Sequence, residues 1–186
     1  KGLVNNERPF VYDGVFDGLS TQDEVYAKVG RPVLHDVMRG MHGCILAYGQ
    51  TGSGKTYSLL QTETADTTDT SEVGLVPRLV SELYVNIACD FDNVYEVSVA
   101  MFQIYNEEID DLLEAKKQNL RVRLEQRGEG WYVEDLTWHT CDTPEAMMEI
   151  FEVGRKQLKY AETHMNTFPF LVCRWAASSS STRRPT

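Results

Sequence analysis

No stretch of this 186-residue chain approaches the roughly 18 consecutive apolar residues that a membrane-spanning helix needs, and no charged-then-apolar leader pattern is visible. A membrane partner is therefore not expected. Cysteines are few: Cys44, Cys89, Cys141 and Cys173 lie far apart and form no C-x-x-C pair, which argues against a zinc knuckle or a secreted disulfide framework. A reduced, cytoplasmic compartment is the simplest reading. Positive charge is also short, with 18 Lys and Arg against 28 Asp and Glu and a net charge of −10, so nucleic acid is an unexpected partner. Internal repeats are absent. What remains is a chain with 42% hydrophobic content, enough to bury a sizeable core.

Against that background one segment carries chemistry. Gly49-Gln50-Thr51-Gly52-Ser53-Gly54-Lys55-Thr56 is a complete G-x-x-x-x-G-K-[ST] pattern, preceded by Gly43-Cys44-Ile45-Leu46-Ala47-Tyr48, an apolar run of strand length. Glycines let such a loop bend where a Cβ would clash, so that successive backbone N–H groups can face an anion. Lys55 is expected to reach the β- and γ-phosphates of a nucleotide, and the Thr56 hydroxyl to be a ligand of Mg²⁺. An ordinary glycine-rich turn is the alternative.

Strand and helix patterns alternate through the chain, which predicts an α/β fold with a mostly parallel central sheet covered by helices on both faces. Ser20 or Thr21 caps a first helix, with Glu24 completing a capping box, and the pattern runs to about Gly40 with a kink at Pro32. A second helix starts at Lys55, residues 61–73 read as a polar exposed loop, and Val76 to Cys89 reads as a helix that tolerates Pro77 in its first turn. Val94 to Tyr105 is a strand by its β-branched and aromatic content, Asn106 to Leu113 a short helix, and Leu120 to Gln126 with Trp131 to Val133 a strand pair. Thr143 caps and Pro144 opens a last helix, to about Tyr160.

The residues around the phosphate loop, Val15-Phe16, Ser20-Thr21-Gln22-Asp23-Glu24-Val25-Tyr26 and Gly43 through Ser58, resemble the N-terminal half of a kinesin motor domain. Further resemblance follows in order at Gly74-Leu75-Val76-Pro77-Arg78, at Phe102 through Glu108 with Asp111-Leu112-Leu113, and at Gly154, Thr163, Met165 and Asn166. The resemblance implies a P-loop NTPase fold that binds ATP or ADP with Mg²⁺, an ATP-driven motor as the activity of the intact domain, and microtubules (tubulin) as partner in a cytoskeletal setting. It also implies that Tyr57 stacks on the adenine. Leu158 departs from the family pattern, which has arginine there.

The family pattern is expected to be incomplete at both ends. After Asn166 the chain reads Thr167-Phe168-Pro169-Phe170 where kinesins read Ser-Ser-Arg-Ser-His shortly after, and no Asp-x-x-Gly occurs, so neither nucleotide-sensing switch is legible. Upstream, no Arg-x-Arg-Pro adenine wall lies at the expected distance, Arg8-Pro9 being too close to Val15-Phe16. Residues 1–168 are thus expected to be a partial motor domain, and residues 169–186 a divergent, disordered tail in which 170–175 could still pair as a strand. Lys116, Lys117, Arg121, Arg123 and Arg127 form a basic cluster in the region resembling a secondary filament contact. Arg121 and Arg123 alternate with Leu120, Val122 and Leu124 as on a solvated strand face, which leaves Arg127 as the candidate contact. Two functional classes follow: the front half of an ATPase motor, with little turnover expected from this polypeptide alone, or a non-hydrolysing nucleotide-binding or interaction module.

Overall fold

The structure is a computed structural model that describes residues 9–61, 72–125, 130–161 and 169–179. The first helical segment starts as its sequence dictates. Thr21 Oγ1 accepts from the Glu24 N–H at 3.2 Å while the Glu24 carboxylate accepts from the Thr21 N–H at 2.9 Å, a complete capping box opening α1 (Gln22–Val25). A π-helical turn, Tyr26–Gly30, joins α1 to α2 (Arg31–Met38). The irregularity expected at Pro32 therefore falls one turn upstream. Pro32 has no N–H for the carbonyl four residues back and its ring crowds that carbonyl, and widening the preceding turn relieves both.

Helix α3 (Lys55–Leu60) begins inside the phosphate loop, and α4 (Leu75–Cys89) carries Pro77 in its first turn, where a missing N–H breaks no helical bond. Strand β1 (Asn93–Tyr105) alternates in exposure at its start and buries every residue from Val97 to Met101. Then come β2 (Glu108–Asp111), β3 (Val122–Leu124), β4 (Trp131–Val133), β5 (His139–Thr140), α5 (Pro144–Ala161) and β6 (Pro169–Ser179). Thr143 Oγ1 accepts from the Ala146 N–H at 3.2 Å and so caps α5.

Three expectations need correction here. The expected helix from Asn106 to Leu113 is instead the second arm of a hairpin. Asn106 (φ 49°) and Glu107 (φ 68°) are both left-handed, which ends any helix but suits a two-residue hairpin turn, and Tyr105 then pairs with Glu108. The expected parallel pairing is replaced by antiparallel pairing throughout the described residues. Ser98 pairs with both Thr140 and Arg174, and Phe102 with both Asp111 and Phe170, so β6 takes one edge of β1 while β5 and β2 follow one another along the other. The third correction concerns the segment expected to open a disordered tail. Pro169–Ser179 is a strand in register with β1 from Gln103 to Asn93, its backbone groups pairing with the long edge that β1 presents. Residues 180–186 lie outside the described residues.

The core sits against the face of β1 that carries Val97, Val99 and Met101. Leu34 of α2, Val80 and Leu83 of α4, and Met147 of α5 gather on Val97 and Val99, and a second cluster joins Met101, Leu112, Phe151 and Leu158. Leu158, where the family pattern has arginine, is thus a buried core residue at 4% exposure. Gly154 lets α5 approach closely: a Cβ there would lie 2.5 Å from Met101 Sδ. Asp111 organises the turn after β2, its carboxylate accepting the N–H groups of Leu113 at 2.7 Å, Glu114 at 3.1 Å and Thr137 at 2.8 Å.

Candidate nucleotide site

The apolar run before the loop keeps strand-like alternation without strand pairing. Ile45 and Ala47 are half-buried while Leu46 and Tyr48 are 76% and 97% exposed. A strand was expected over Gly43 to Tyr48; among the described residues no neighbour pairs with it, and Gly43 at its start fits beside Val33 and Val37 of α2. Its outer apolar face is uncovered, as are Phe10, Val11, Tyr12 and Val15 nearby in sequence.

From there the chain turns through the loop. Gly52 (φ 79°) and Gly54 (φ 86°) adopt left-handed conformations that side-chain-bearing residues resist, and Gly54 is the residue from which α3 starts. The Ser53 N–H donates to the Gln50 carbonyl at 3.2 Å, tightening the turn. Lys55 folds back beneath it. Its ammonium donates to the Gly49 and Gln50 carbonyls at 2.6 Å each, and the residue is only 8% exposed. Thr56 beside it is exposed, as is Tyr57, with 47% of its surface open. Lys55 is thus tucked under the turn made by residues 49–54, while Thr56 and Tyr57 stay on its open side.

Two contacts fix α3 behind the loop. The buried Gln22 of α1 donates its side-chain amide to the Tyr57 carbonyl at 3.0 Å, and the Gly74 N–H donates to the Gln61 carbonyl at 2.8 Å. Sequence reading passed over Gln22. Its signal was a polar residue four before the buried Tyr26 on the inward stripe of a capped helix. Tyr26 in turn donates its hydroxyl to Glu82 at 2.9 Å, and burial, reinforced by that carboxylate, pushes the phenol well above its ordinary range. Arg78 of α4 pairs with Asp23 of α1 and donates to the Val73 carbonyl at 2.6 Å.

Elsewhere the basic cluster is partly committed internally. Lys117 donates to the Asp135 carbonyl at 2.7 Å, and Arg123 pairs with Glu134 at 3.0 Å, while Lys116 and Arg121 are exposed. Val122 and Leu124 are themselves about half exposed, so the β3–β4 hairpin is solvated on both faces. Arg127 and residues 62–71 lie outside the described residues, as do Thr163, Met165 and Asn166. Among the described residues no cluster of His, Cys, Asp and Glu is arranged to hold a metal ion, and no helix is long and apolar enough to cross a membrane.

Residues 2–168 match the kinesin motor domain as a family. The chain belongs to the kinesin motor-domain family. It is 34% identical over 165 residues to the kinesin-like protein Klp68D of Drosophila melanogaster, covering 89% of this chain and 20% of that protein. Kinesin-related protein 5 of Dictyostelium discoideum is 37% identical over 168 residues, 88% of this chain and 17% of its own length. The human chromosome-associated kinesin KIF4B is 34% identical over 166 residues, 89% of this chain and 14% of that protein. A solved structure of a fast kinesin superposes with a TM-score of 0.83 at 29% identity over 93% of this chain and 49% of that one. The fold is thus the α/β P-loop NTPase fold of a kinesin, and the chain spans about half of that structure and a fifth or less of the curated relatives.

Proposed function

We propose that this chain carries the nucleotide cradle of a kinesin motor, binding ATP or ADP through Gly49 to Thr56, and that the intact domain couples hydrolysis to movement along microtubules. The observation that supports it is the seating of Lys55: a buried ammonium inside a glycine loop, held on two neutral carbonyls that phosphate oxygens would replace with stronger, charge-assisted bonds. Left-handed Gly52 and Gly54 give the loop a backbone turn that residues with a Cβ resist, of the kind that can present N–H groups to an anion. Mg²⁺, when bound, would supply positive charge to the nucleotide's phosphates. The exposed Thr56 hydroxyl, next to Lys55 at the start of α3, fits as one of its ligands. Tyr57 offers an open ring for the purine.

Hydrolysis needs a positioned water and groups that stabilise the transferring phosphoryl. The loop provides neither, and the sequence reads Thr167-Phe168-Pro169-Phe170 where kinesins carry the first switch, so this polypeptide binds rather than turns over nucleotide. In the cell we place it in the cytoplasm with microtubules, with Arg127 as a filament contact.

A thermal-shift assay with Mg·ADP tests the reading. Ligand at about a hundred times its Kd adds about 2.7 kcal/mol to stability, which raises Tm by about 5–10 °C for a chain of this size. Wild type should show that rise with ATPase at background, with or without microtubules. No rise, or microtubule-stimulated turnover lost in Thr56→Asn, would contradict it.

A further inference from the structure

We infer that Gln22 is a positioning residue for the nucleotide site, acting through the first turn of α3. The inference rests on the proposed reading of the loop and adds a residue outside it, 35 positions from its contact.

Helix α3 has only six residues, so the carbonyls from Tyr57 onward fall in its last four and have no helical N–H to accept from. Left unpaired near the core, a carbonyl costs free energy and the turn loosens. Gln22 answers that need. It is 6% exposed, and its Nε2 donates to the Tyr57 carbonyl at 3.0 Å. The same turn presents Lys55, Thr56 and Tyr57, so the bond holds the backbone from which the phosphate-binding ammonium, the hydroxyl and the exposed ring all project.

Gln22 is itself held. It is the first residue of α1, inside the Thr21–Glu24 capping box, and its neighbour Asp23 is paired with Arg78 of α4. Two fixed helices thus bracket a short one, and the amide of Gln22 is the link from α1. A hydrophobic residue would fill the same space without donating. Of the common substitutions, glutamate keeps the shape and loses the donor only while ionised, which makes the bond's role separable from packing.

The test measures fluorescent ADP affinity, with Mg²⁺, for wild type, Gln22→Leu and Gln22→Glu at pH 8 and pH 5.5, alongside hydrogen exchange of the α3 amides in the nucleotide-free protein. Loss of one such bond should weaken binding about three- to tenfold in both variants at pH 8. At pH 5.5 a buried glutamic acid, its pKa raised by desolvation, regains an O–H donor, so Gln22→Glu should return to within about twofold of wild type while Gln22→Leu stays weak. The α3 amides should exchange faster in Gln22→Leu than in wild type. A Gln22→Glu variant that binds as tightly as wild type at pH 8, or one as weak at both pH values as Gln22→Leu, overturns the inference. Wild type that binds no nucleotide overturns the reading of the loop and this inference with it, whereas unchanged α3 exchange in Gln22→Leu defeats the Gln22 link alone.

Discussion

Replacing Gly74 by alanine should loosen the junction behind the phosphate loop, and its cost can be worked from the structure. Gly74 has φ −75° and ψ −178°, a backbone any residue adopts, so no conformational strain enters. Space is the issue. An added Cβ would lie 2.8 Å from the Leu59 carbonyl carbon and 2.9 Å from both the Leu59 oxygen and the Gln61 nitrogen. Carbon atoms rest at about 3.5–4.0 Å, so α3 and the start of α4 must part by roughly 0.7 Å, and the atoms met are backbone with no rotamer to yield. Overpacking of this kind costs about 1–3 kcal/mol, and the same shift weakens the Gly74 N–H bond to the Gln61 carbonyl, about 1 kcal/mol more. Alanine recovers about 0.4–1 kcal/mol by restricting the unfolded chain. The net is about 2 kcal/mol, or a fall in Tm of about 4–8 °C by circular dichroism. Gly18→Ala is the control, because a Cβ at Gly18 meets nothing within 4 Å. If Gly74→Ala melts where Gly18→Ala does, the packing argument is wrong.

Further outcomes follow from other parts of the core. Phe151→Ala, at a residue 2% exposed in the cluster with Met101 and Leu158, should cost about 3–5 kcal/mol in urea unfolding, and a loss below 1 kcal/mol would show that the cluster collapses to fill the gap. Asp111→Asn sets an NH₂ against one of the N–H groups the carboxylate now accepts and should cost about 1–3 kcal/mol, whereas an unchanged urea midpoint would mean that the turn after β2 reorganises freely. The Asp90 carboxyl is held below the usual carboxylate range, first by the Tyr95 hydroxyl and then by the Asn93 amide. A carboxyl depressed in the folded state contributes stability above its unfolded pKa and loses it as pH falls through the folded value, so acid should destabilise wild type below about pH 4. Tyr95→Phe should show a shallower loss over that range, and identical acid profiles would remove Asp90 from the account.

Local chemistry was legible where it depended on a few adjacent residues. The Thr21–Glu24 capping box, the start of α3 at Lys55, the Thr143-Pro144 opening of α5 and the β3–β4 pair are all fixed by neighbours in sequence, and all stand in the structure. Pairing was harder, because it depends on what lies alongside. Gly43 to Tyr48 has the composition of a buried strand, yet among the described residues it has no partner and leaves Tyr48 exposed. Residues 106–113 have helical spacing, but two left-handed residues at the turn decide for a hairpin. The turn of the glycine loop follows from its pattern, whereas the sequence places Gln22 on an inward stripe without saying that its amide reaches a carbonyl 35 residues away.

The central claim is that Lys55 sits in a phosphate cradle, and calorimetric titration of Mg·ADP into wild type and Lys55→Ala tests it most directly. Loss of a charge-assisted contact is worth about 1.5–3 kcal/mol, so the account expects one binding site in wild type and a Kd about ten- to a hundredfold weaker in the variant. Equal affinity in the two proteins would contradict it and leave the loop an ordinary glycine-rich turn.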